Sequence, residues 1–429
     1  MAAQLEVKLF AVADQPSSFS RHGSPGTDAF DKNALLAYAG HHQREKKELY
    51  ESGCADLKQL HSLGETQVGL WKLPASKLFS DFCDDLACRL PHKRLQGYVL
   101  DIAQAESTND AMYEITWSSP TSISSSTKLA NSLRARNVIV ATGMIGRPII
   151  PPGLVNCPVV PWKDPNAFPM PLSKSKDQRP DRVLVVGGGL TAVQVALRVL
   201  EDGHKCVLCS RRPLQEKHFD IPLEWFDRRT ANKNLSNIYH DTADNRLMQL
   251  REARDGGSVP PMYMKLLQGH IHNLTFWIGE LEYQNESSEG KVKICFQNSI
   301  HAFDRVILAC GVSIDCTSHP LISKILSKWP IPVHHGYPFL TEDLQWDRKH
   351  PGLFVVGALA ALQVGPDSGN LMGIRRAATV VANALDCRCW LREKALVNPF
   401  NALLLQDGTS DTESENESIC DCPSCDEQE

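Results

Sequence analysis

One stretch of the chain constrains the fold more than any other. Residues 182–213 read RVLVVGGGLTAVQVALRVLEDGHKCVLCSRRP, an apolar run followed by three glycines, a helical pattern and a second apolar run. The run VLVV is apolar on both faces, which is typical of a strand inside a parallel sheet. Leu190, Val193, Leu197 and Leu200 then share one helix face, and Gly203 stands just past the helix end. The stretch predicts a βαβ unit in an α/β protein with Rossmann-like, doubly wound sheets.

The glycines of this unit have the spacing of a phosphate-binding turn. Gly187 and Gly189 take the first two positions of the motif G-x-G-x-x-G/A, and Ala192 takes the third. The first amides of the helix and the positive end of its dipole then face the phosphates. The alternative is a glycine-rich turn that holds no ligand. The predicted contacts with a dinucleotide are Gly187, Gly188, Gly189, Leu190, Thr191 and Ala192.

Two arginines stand where the second strand of the unit ends. An NAD-binding unit places Asp or Glu there for the ribose 2′-hydroxyl, whereas this chain has Ser210, Arg211 and Arg212. Guanidinium groups form bidentate, charge-assisted bonds with phosphate, and a carboxylate would repel it. The sequence therefore favours NADPH over NADH. The alternative is that both arginines are solvated residues at a strand end.

Composition excludes several classes of protein. With 42% hydrophobic and 22% charged residues the chain has the composition of an ordinary globular protein, and its net charge of -5 argues against nucleic-acid binding. No apolar run reaches the ~18 residues of a transmembrane span, and the first residues lack the pattern of a secretory signal. We therefore expect a cytoplasmic protein with reduced thiols. Several of its 14 cysteines lie inside apolar strands: Cys206, Cys209, Cys295 and Cys310.

The βαβ unit is one of four landmarks that follow each other in order. The other three are ARNVIVATGMIGRPIIPPG at 135–153, FDRVILACGV at 303–312 and GLFVVGALAALQVGPDSGNLMGIRRAA at 352–378. Together they resemble flavoproteins with two dinucleotide-binding domains, a group of flavin-containing monooxygenases, lysine/ornithine N-hydroxylases and pyridine nucleotide–disulfide reductases. The resemblance covers about residues 70–385.

The resemblance implies an NADP-binding domain inserted into an FAD-type domain. Gly357 would let the chain approach the flavin, and the helix that starts near Asn370 would point its first amides at the pyrimidine ring. The further cofactor contacts that the resemblance implies are Ala141, Thr142, Gly143, Gly311, Gly357, Asn370 and Leu371.

These motifs divide the chain into five segments. We expect an irregular, partly helical segment over 1–70, an FAD-type domain over 71–160 and 301–390, an NADP-binding domain over 161–300 and a disordered acidic tail over 406–429. At the start of the FAD-type domain the apolar spacing predicts a helix with Ser76 as its N-cap and Pro91 after its end.

Part of the family pattern is missing. The FAD domain of this group opens with its own G-x-G-x-x-G, and the glycines before residue 70 form no such motif. A sheet without its first, usually central, strand would have apolar edges and no phosphate cradle. In the third landmark Cys310 and Val312 replace a threonine and a tyrosine of the N-hydroxylase signature. The sequence leaves two interpretations: a truncated form, or a form in which FAD binding is lost or weakened.

Three functions remain open. The first is an FAD- and NADPH-dependent, monooxygenase-like oxidoreductase, in which hydride passes from NADPH to flavin and the reduced flavin activates oxygen for a small-molecule substrate that no motif identifies. The second is a flavin-free NADP-binding module. The third is a dithiol reductase that uses Cys422 and Cys425 of the tail. Cys206 and Cys209 cannot form its dithiol, because positions i and i+3 of a strand point to opposite faces.

The sequence assigns neither a catalytic base nor a metal site. The monooxygenase fingerprint F-x-G-x-x-x-H is absent from the stretch near 155–170, and we interpret His334 and His335 as surface or structural residues. With Cys420, the tail thiols do not complete a tetrahedral metal site. Nothing in the sequence indicates the oligomeric state.

Overall fold

The computed structural model describes residues 11–12, 34–51, 71–89, 93–105, 112–118, 131–144, 146–164, 166–169, 179–217, 220–225, 228–286, 290–370 and 373–385. Its helices are α1 (Ala34–His41), α2 (Glu45–Glu48), α3 (Ser76–Arg89), α4 (Leu190–Glu201), α5 (Arg228–Tyr239), α6 (Ala243–Arg254), α7 (Pro261–Gln268), α8 (Pro320–Lys328), α9 (Ala361–Val364) and α10 (373–385). Its strands are β1 (Ala11–Val12), β2 (Leu49–Glu51), β3 (Trp71–Pro74), β4 (Tyr98–Gln104), β5 (Tyr113–Ser118), β6 (Asn131–Ala135), β7 (Val138–Val140), β8 (Gly146–Pro148), β9 (Val160–Pro161), β10 (Arg182–Val186), β11 (Lys205–Ser210), β12 (Leu274–Ile278), β13 (Glu282–Glu286), β14 (Val292–Phe296), β15 (Ser299–Phe303), β16 (Arg305–Leu308), β17 (Val312–Ile314), β18 (Val333–His334), β19 (Tyr337–Pro338) and β20 (Leu353–Val355).

The described residues fall into two compact units, and both contain parallel strands with helices. The first consists of the described residues within Met1–Arg94, Gly146–Lys233 and Arg251–Ser313, and the second of those within Leu95–Ile145, Asn234–Leu250 and Ile314–Glu429. This mixture of helices and sheets confirms the expected α/β class. The domain boundaries expected from the sequence stay a prediction.

A five-stranded parallel sheet forms the centre of the first unit, with the strand order β12-β11-β10-β16-β9. Side chains of β10 alternate between two cores: Val183 and Val185 pack with α4, and Leu184 and Val186 pack on the opposite face. The βαβ unit expected at 182–213 is therefore confirmed. Gly203 follows α4 with a φ of +92°, the left-handed conformation in which helices commonly end.

The opposite face of this sheet packs against an antiparallel sheet of β13, β14 and β15. The sequence has β-like stretches at 274–279 and 291–297, which predict two strands, and β12 and β14 confirm both. It missed β13 and β15, because most side chains of these two strands are exposed or only half-buried and therefore carry no strong apolar alternation.

The N-terminal part of the first unit has a small core of its own. Leu78, Phe79 and Phe82 of α3 pack with Leu35 and Tyr38 of α1. The helix expected between Ser76 and Pro91 is thus borne out by α3, although Ser76 is its first residue rather than its N-cap.

The second unit holds the strands of the first and last of the four landmarks, at 138–140 and 353–355. β4, β5 and β6 form an antiparallel sheet, and β7 pairs in parallel with β20. Its core includes Tyr113, Trp346 and Phe354, with Ala377 and Val381 of α10 packed against them. The landmark strands at 138–140 and 353–355, which lie far apart in the sequence, are thus direct neighbours.

The parallel pair of the second unit is open on one side. Within the described part of the chain, β7 pairs with no strand other than β20. Ile139, in the middle of β7, is 49% exposed. Among the described residues, β7 is therefore an edge strand with unpaired backbone groups, and the side chain of Ile139 is exposed on one face of the sheet.

Candidate functional site

The turn after β10 can be formed only by glycine. Gly187 has a φ of +153°, and its N–H donates to the carbonyl of Cys209 at 2.9 Å. A Cβ at this position would meet the carbonyl carbon of Ala309 at 2.8 Å and the Cβ of Ala192 at 2.9 Å. Ala192 is fully buried, so a larger residue there would also push α4 away from the strand. The first and third motif positions therefore hold the turn against the sheet.

The first turn of α4 presents free amide donors at this turn. Gly189 is the N-cap residue and contributes no side-chain cap, while its carbonyl accepts from the N–H of Val193 at 3.2 Å. The N–H groups of Leu190, Thr191 and Ala192 have no acceptor within the helix, because they precede its first hydrogen-bonded residue. Such donors, together with the helix dipole, form an anion-binding site.

The end of β11 lies beside the glycine turn. Ser210 is buried, and a Cβ added to Gly188 would lie 3.2 Å from the Cβ of Ser210. Its Oγ donates to the carbonyl of Arg212 at 2.6 Å, which fixes the chain as it leaves the strand. Arg211 and Arg212 are both exposed at this edge. The structure thus brings the predicted phosphate turn and the predicted arginines to one edge of one sheet.

A segment that the sequence did not assign lies against the glycine turn. A Cβ on Gly257 would come within 2.7 Å of the Cα of Gly189 and 2.9 Å of its nitrogen. Lys217 donates its N–H to the carbonyl of Val259 at 3.0 Å, and Val259 donates to Gln215 at 2.9 Å, so a parallel bridge joins residues 215–217 to this segment. The Asp-Gly-Gly triplet at 255–257 signals a turn. Its contact with residues far away in the sequence could not be read from that signal.

In the second unit the two landmark strands end side by side. Val140 pairs with Val355, and the N–H of Val356 donates to the carbonyl of Val140 at 3.1 Å. Ala141, Thr142 and Gly143, which follow β7, therefore lie at the same sheet edge as Gly357, which follows β20. Gly357 has a φ of +80° with open space where a Cβ would stand.

Asn370 caps the helix that follows these strands. Its Oδ1 accepts from the N–H of Gly373 at 3.3 Å, and its carbonyl accepts from the N–H of Ile374 at 2.9 Å. The expectation of a helix starting near Asn370 is therefore borne out by α10. Leu371 lies outside the described residues.

Gly311, the last of the predicted cofactor residues, belongs to the first unit. It follows β16 with a φ of +85°, and its carbonyl accepts from the N–H of Ile149 at 3.1 Å. The neighbouring Cys310 donates its Sγ–H to the carbonyl of Val186 at 3.3 Å, directly before the glycine turn. Burial raises the pKa of the Cys310 thiol, and the positive charge of Arg211 partly offsets this shift.

The thiols of β11 lie on opposite faces of the sheet. Cys206 packs into the core beside α4, whereas Cys209 packs into the core on the other side. Burial raises the pKa of Cys206, and it raises the pKa of Cys209 to about 12 with a smaller contribution from Cys310. This confirms that the two residues cannot act as a dithiol. The three tail cysteines, Cys420, Cys422 and Cys425, lie outside the described residues.

These thiols should be unreactive in the folded protein. Near pH 7 we expect Cys206 and Cys209 to react with iodoacetamide at least about 100-fold more slowly than the exposed Cys88, because only the thiolate is nucleophilic. Peptide mapping by mass spectrometry over a time course measures the three rates. Equal rates in the native protein, together with equal rates after denaturation, would contradict the described packing of β11.

Other candidate features add no catalytic group to these sites. His334 lies in β18 with its Nδ1 3.9 Å from a carboxylate oxygen of Asp244, and His335 forms the left-handed turn that follows. Among the described residues, no cluster of His, Cys, Asp or Glu could hold a metal ion. None of the helices described is long and apolar enough to cross a membrane.

Comparisons with known proteins agree with this architecture. Residues 72–256 match the family model for L-lysine 6-monooxygenase/L-ornithine 5-monooxygenase, a stretch of less than half the chain. A search of curated proteins gives no match.

Solved structures of amine monooxygenases share the fold. An ornithine N-hydroxylase from Kutzneria sp. 744, with reduced FAD, NADP+ and L-ornithine, is 14% identical with a TM-score of 0.57, and the match covers 83% of this chain and 84% of that chain. A cadaverine monooxygenase from Erwinia amylovora bound to FAD is 14% identical with a TM-score of 0.56, and the match covers 83% of this chain and 80% of that chain. The ornithine hydroxylase of Pseudomonas aeruginosa is 16% identical with a TM-score of 0.56, and the match covers 83% of this chain and 82% of that chain. These findings confirm the resemblance to two-domain flavoproteins of the lysine/ornithine N-hydroxylase kind.

Proposed function

We propose that the protein is an NADPH- and FAD-dependent oxidoreductase of the monooxygenase type, acting on a small amine. The observation that carries the proposal is the edge of the first unit's sheet, where the glycine turn, the uncapped start of α4 and two arginines converge. The family model supports the reaction class, because its match at 72–256 includes this whole edge. The similar structures include an ornithine N-hydroxylase and a cadaverine monooxygenase, which supports an amine substrate.

The residues of the first unit fit NADPH. Gly187, Gly189 and Ala192 leave no side chain between the turn and a pyrophosphate, and the amides of Leu190 and Thr191 can donate to its oxygens. Arg211 and Arg212 are exposed at the position where the adenosine ribose of a bound dinucleotide lies. A 2′-phosphate would find two guanidinium groups there, and none of the residues 210–212 is acidic.

The residues of the second unit fit FAD in part. Gly357 and the start of α10 are in place, with open space beside Gly357 for a ligand. Among the residues that the structure describes, however, no second turn with the spacing G-x-G-x-x-G/A precedes a helix in this unit to hold the FAD pyrophosphate. FAD, when bound, supplies the redox chemistry by accepting hydride from NADPH and passing electrons to oxygen. The chain's own contribution is to bind and orient the nicotinamide coenzyme.

A second candidate follows from the unpaired edge of β7. A protein that keeps the NADPH site but has no cradle for the FAD pyrophosphate would be a flavin-free NADP-binding module. In the part of the chain that the structure describes, the parallel sheet of the second unit has two strands, and this favours the module.

The two functions are separated by one preparation of the protein. After purification with added FAD and gel filtration, the oxidoreductase retains a flavin absorption spectrum, and NADPH bleaches it in the absence of oxygen. A protein that binds NADPH but retains no flavin is the module. A protein that binds neither contradicts both proposals. Stimulation of NADPH oxidation by ornithine, lysine or cadaverine, each tested in air, then identifies the amine.

A further inference from the structure

Three charged side chains meet beside the glycine turn. Arg212 Nη1 lies 3.9 Å from one carboxylate oxygen of Asp255, and Lys217 Nζ lies 3.3 Å from the other. All three side chains are well exposed to solvent, so these ion pairs are weak and can exchange partners. The carboxylate thus bridges two cations that follow the same strand, β11.

Backbone contacts hold this group next to the phosphate turn. Gly257 packs against Gly189, and a Cβ on Gly256 would lie 2.5 Å from Nη2 of Arg212. The parallel bridge between 215–217 and 259 ties Lys217 to the same segment. Asp255 is therefore carried to the end of β11 by a segment that itself touches the glycine turn.

This carboxylate lies beside the end of the second strand of the βαβ unit. In a Rossmann unit the adenosine ribose lies at the end of the second strand, and the 2′-phosphate of NADP is bound by cations there. Here the cations are already paired with an anion that belongs to the chain. A carboxylate and a phosphate compete for the same donors, because both accept charge-assisted hydrogen bonds.

We propose that Lys217 joins Arg212 in binding the 2′-phosphate of NADPH, and that Asp255 occupies this pair of cations until the phosphate displaces it. The inference rests on the proposed NADPH site and adds two specificity-determining residues to it. Lys217 raises the affinity for NADPH relative to that for NADH, and Asp255 lowers it. NADH, which has no 2′-phosphate, leaves the Asp255 pairs intact and is insensitive to both residues.

The test uses calorimetric titrations with NADPH, NADH and adenosine 2′,5′-bisphosphate, a probe that has the 2′-phosphate without the nicotinamide. For Lys217→Ala we expect NADPH and the bisphosphate to bind about tenfold more weakly, since a charge-assisted contact is lost. For Asp255→Asn we expect both to bind about threefold more tightly, because an exposed competing ion pair is removed. NADH should change less than about twofold in either variant.

Two variants control for the change in net charge. Lys205→Ala removes a lysine from the opposite end of β11, and Glu201→Gln removes an exposed carboxylate from the end of α4. Both should leave the NADPH affinity unchanged, since charges beyond a Debye length are largely screened.

The outcomes separate this inference from the function on which it rests. Equal weakening of NADPH and NADH in Lys217→Ala overturns the role of Lys217 while the NADPH site stands. Unchanged or weaker NADPH binding in Asp255→Asn overturns the competition by Asp255. A wild-type protein that binds neither coenzyme overturns the proposed function and this inference together.

Discussion

Replacing both Arg211 and Arg212 by alanine is expected to weaken NADPH binding about 100-fold and to change NADH binding less than about threefold. The two guanidinium groups stand at the end of β11, beside Ser210 and the glycine turn. Each lost charge-assisted contact with the 2′-phosphate weakens binding about tenfold, and NADH has no phosphate to lose. The change is measured as the ratio of the two dissociation constants in wild-type and variant protein.

Arg251→Ala provides the matched control for this pair. Arg251 is exposed on α6 in the same unit and does not follow a strand of the parallel sheet. Its removal should leave the ratio of dissociation constants at the wild-type value. If the double variant weakens NADPH and NADH to the same extent, both arginines act on something other than the 2′-phosphate.

Gly187→Ala is expected to lower the free energy of unfolding by about 3 kcal/mol and to weaken NADPH binding at least tenfold. The added Cβ would force apart the turn, the carbonyl group of Ala309 and the Cβ of Ala192. It also demands a backbone conformation that residues with a side chain rarely adopt, since φ is +153°. Urea denaturation measures the stability, and calorimetry measures the affinity.

Gly290→Ala separates these two causes. Gly290 has a φ of +74°, but a Cβ there would meet nothing within 4 Å. Alanine at this position should therefore lower the free energy of unfolding by only about 1 kcal/mol and leave NADPH binding unchanged. If Gly187→Ala is no more destabilising than Gly290→Ala, the turn is looser than the described contacts require.

The sequence was informative wherever structure depends on nearby residues. The strand at 182–186, the helix at 190–201 and the strand at 205–210 are each encoded by a local apolar pattern, and the structure confirms all three. The left-handed Gly203 was readable for the same reason. The sequence also predicts that the arginines after β11 lie near the glycine turn after β10, because the carboxyl ends of parallel strands lie at the same edge of a sheet.

The sequence was silent where contacts join distant segments. Nothing local indicates that Gly257 touches Gly189, or that Lys217 and Asp255 share the edge with Arg212. The polar, exposed strand β13 has no apolar period for a sequence pattern to detect. The sequence predicts Ser76 as the N-cap, one position before the helix, but Ser76 is the first helical residue. The two positions are hard to distinguish from sequence, because residues that cap helices are also tolerated in the first turn.

The second unit shows how far a family resemblance extends. The resemblance correctly indicated that the strands at 138–140 and 353–355 belong together, and the structure pairs them in parallel. The resemblance also implies a first strand and a phosphate-binding turn at the start of the FAD-type domain, and the sequence before residue 70 contains no motif for them. Among the described residues β7 has one unpaired edge, and such a strand would pair there. Flavin retention is therefore the property in which this chain can differ most from the monooxygenases that it resembles.

The proposed function requires that the glycine turn and the end of β11 together bind a dinucleotide with a 2′-phosphate. Calorimetric titration of the wild-type protein with NADPH and with NADH tests this directly. We expect saturable binding of NADPH at one site per chain, with an affinity at least about tenfold above that for NADH. The absence of heat with either coenzyme from a protein that unfolds cooperatively, or tighter binding of NADH, would contradict it.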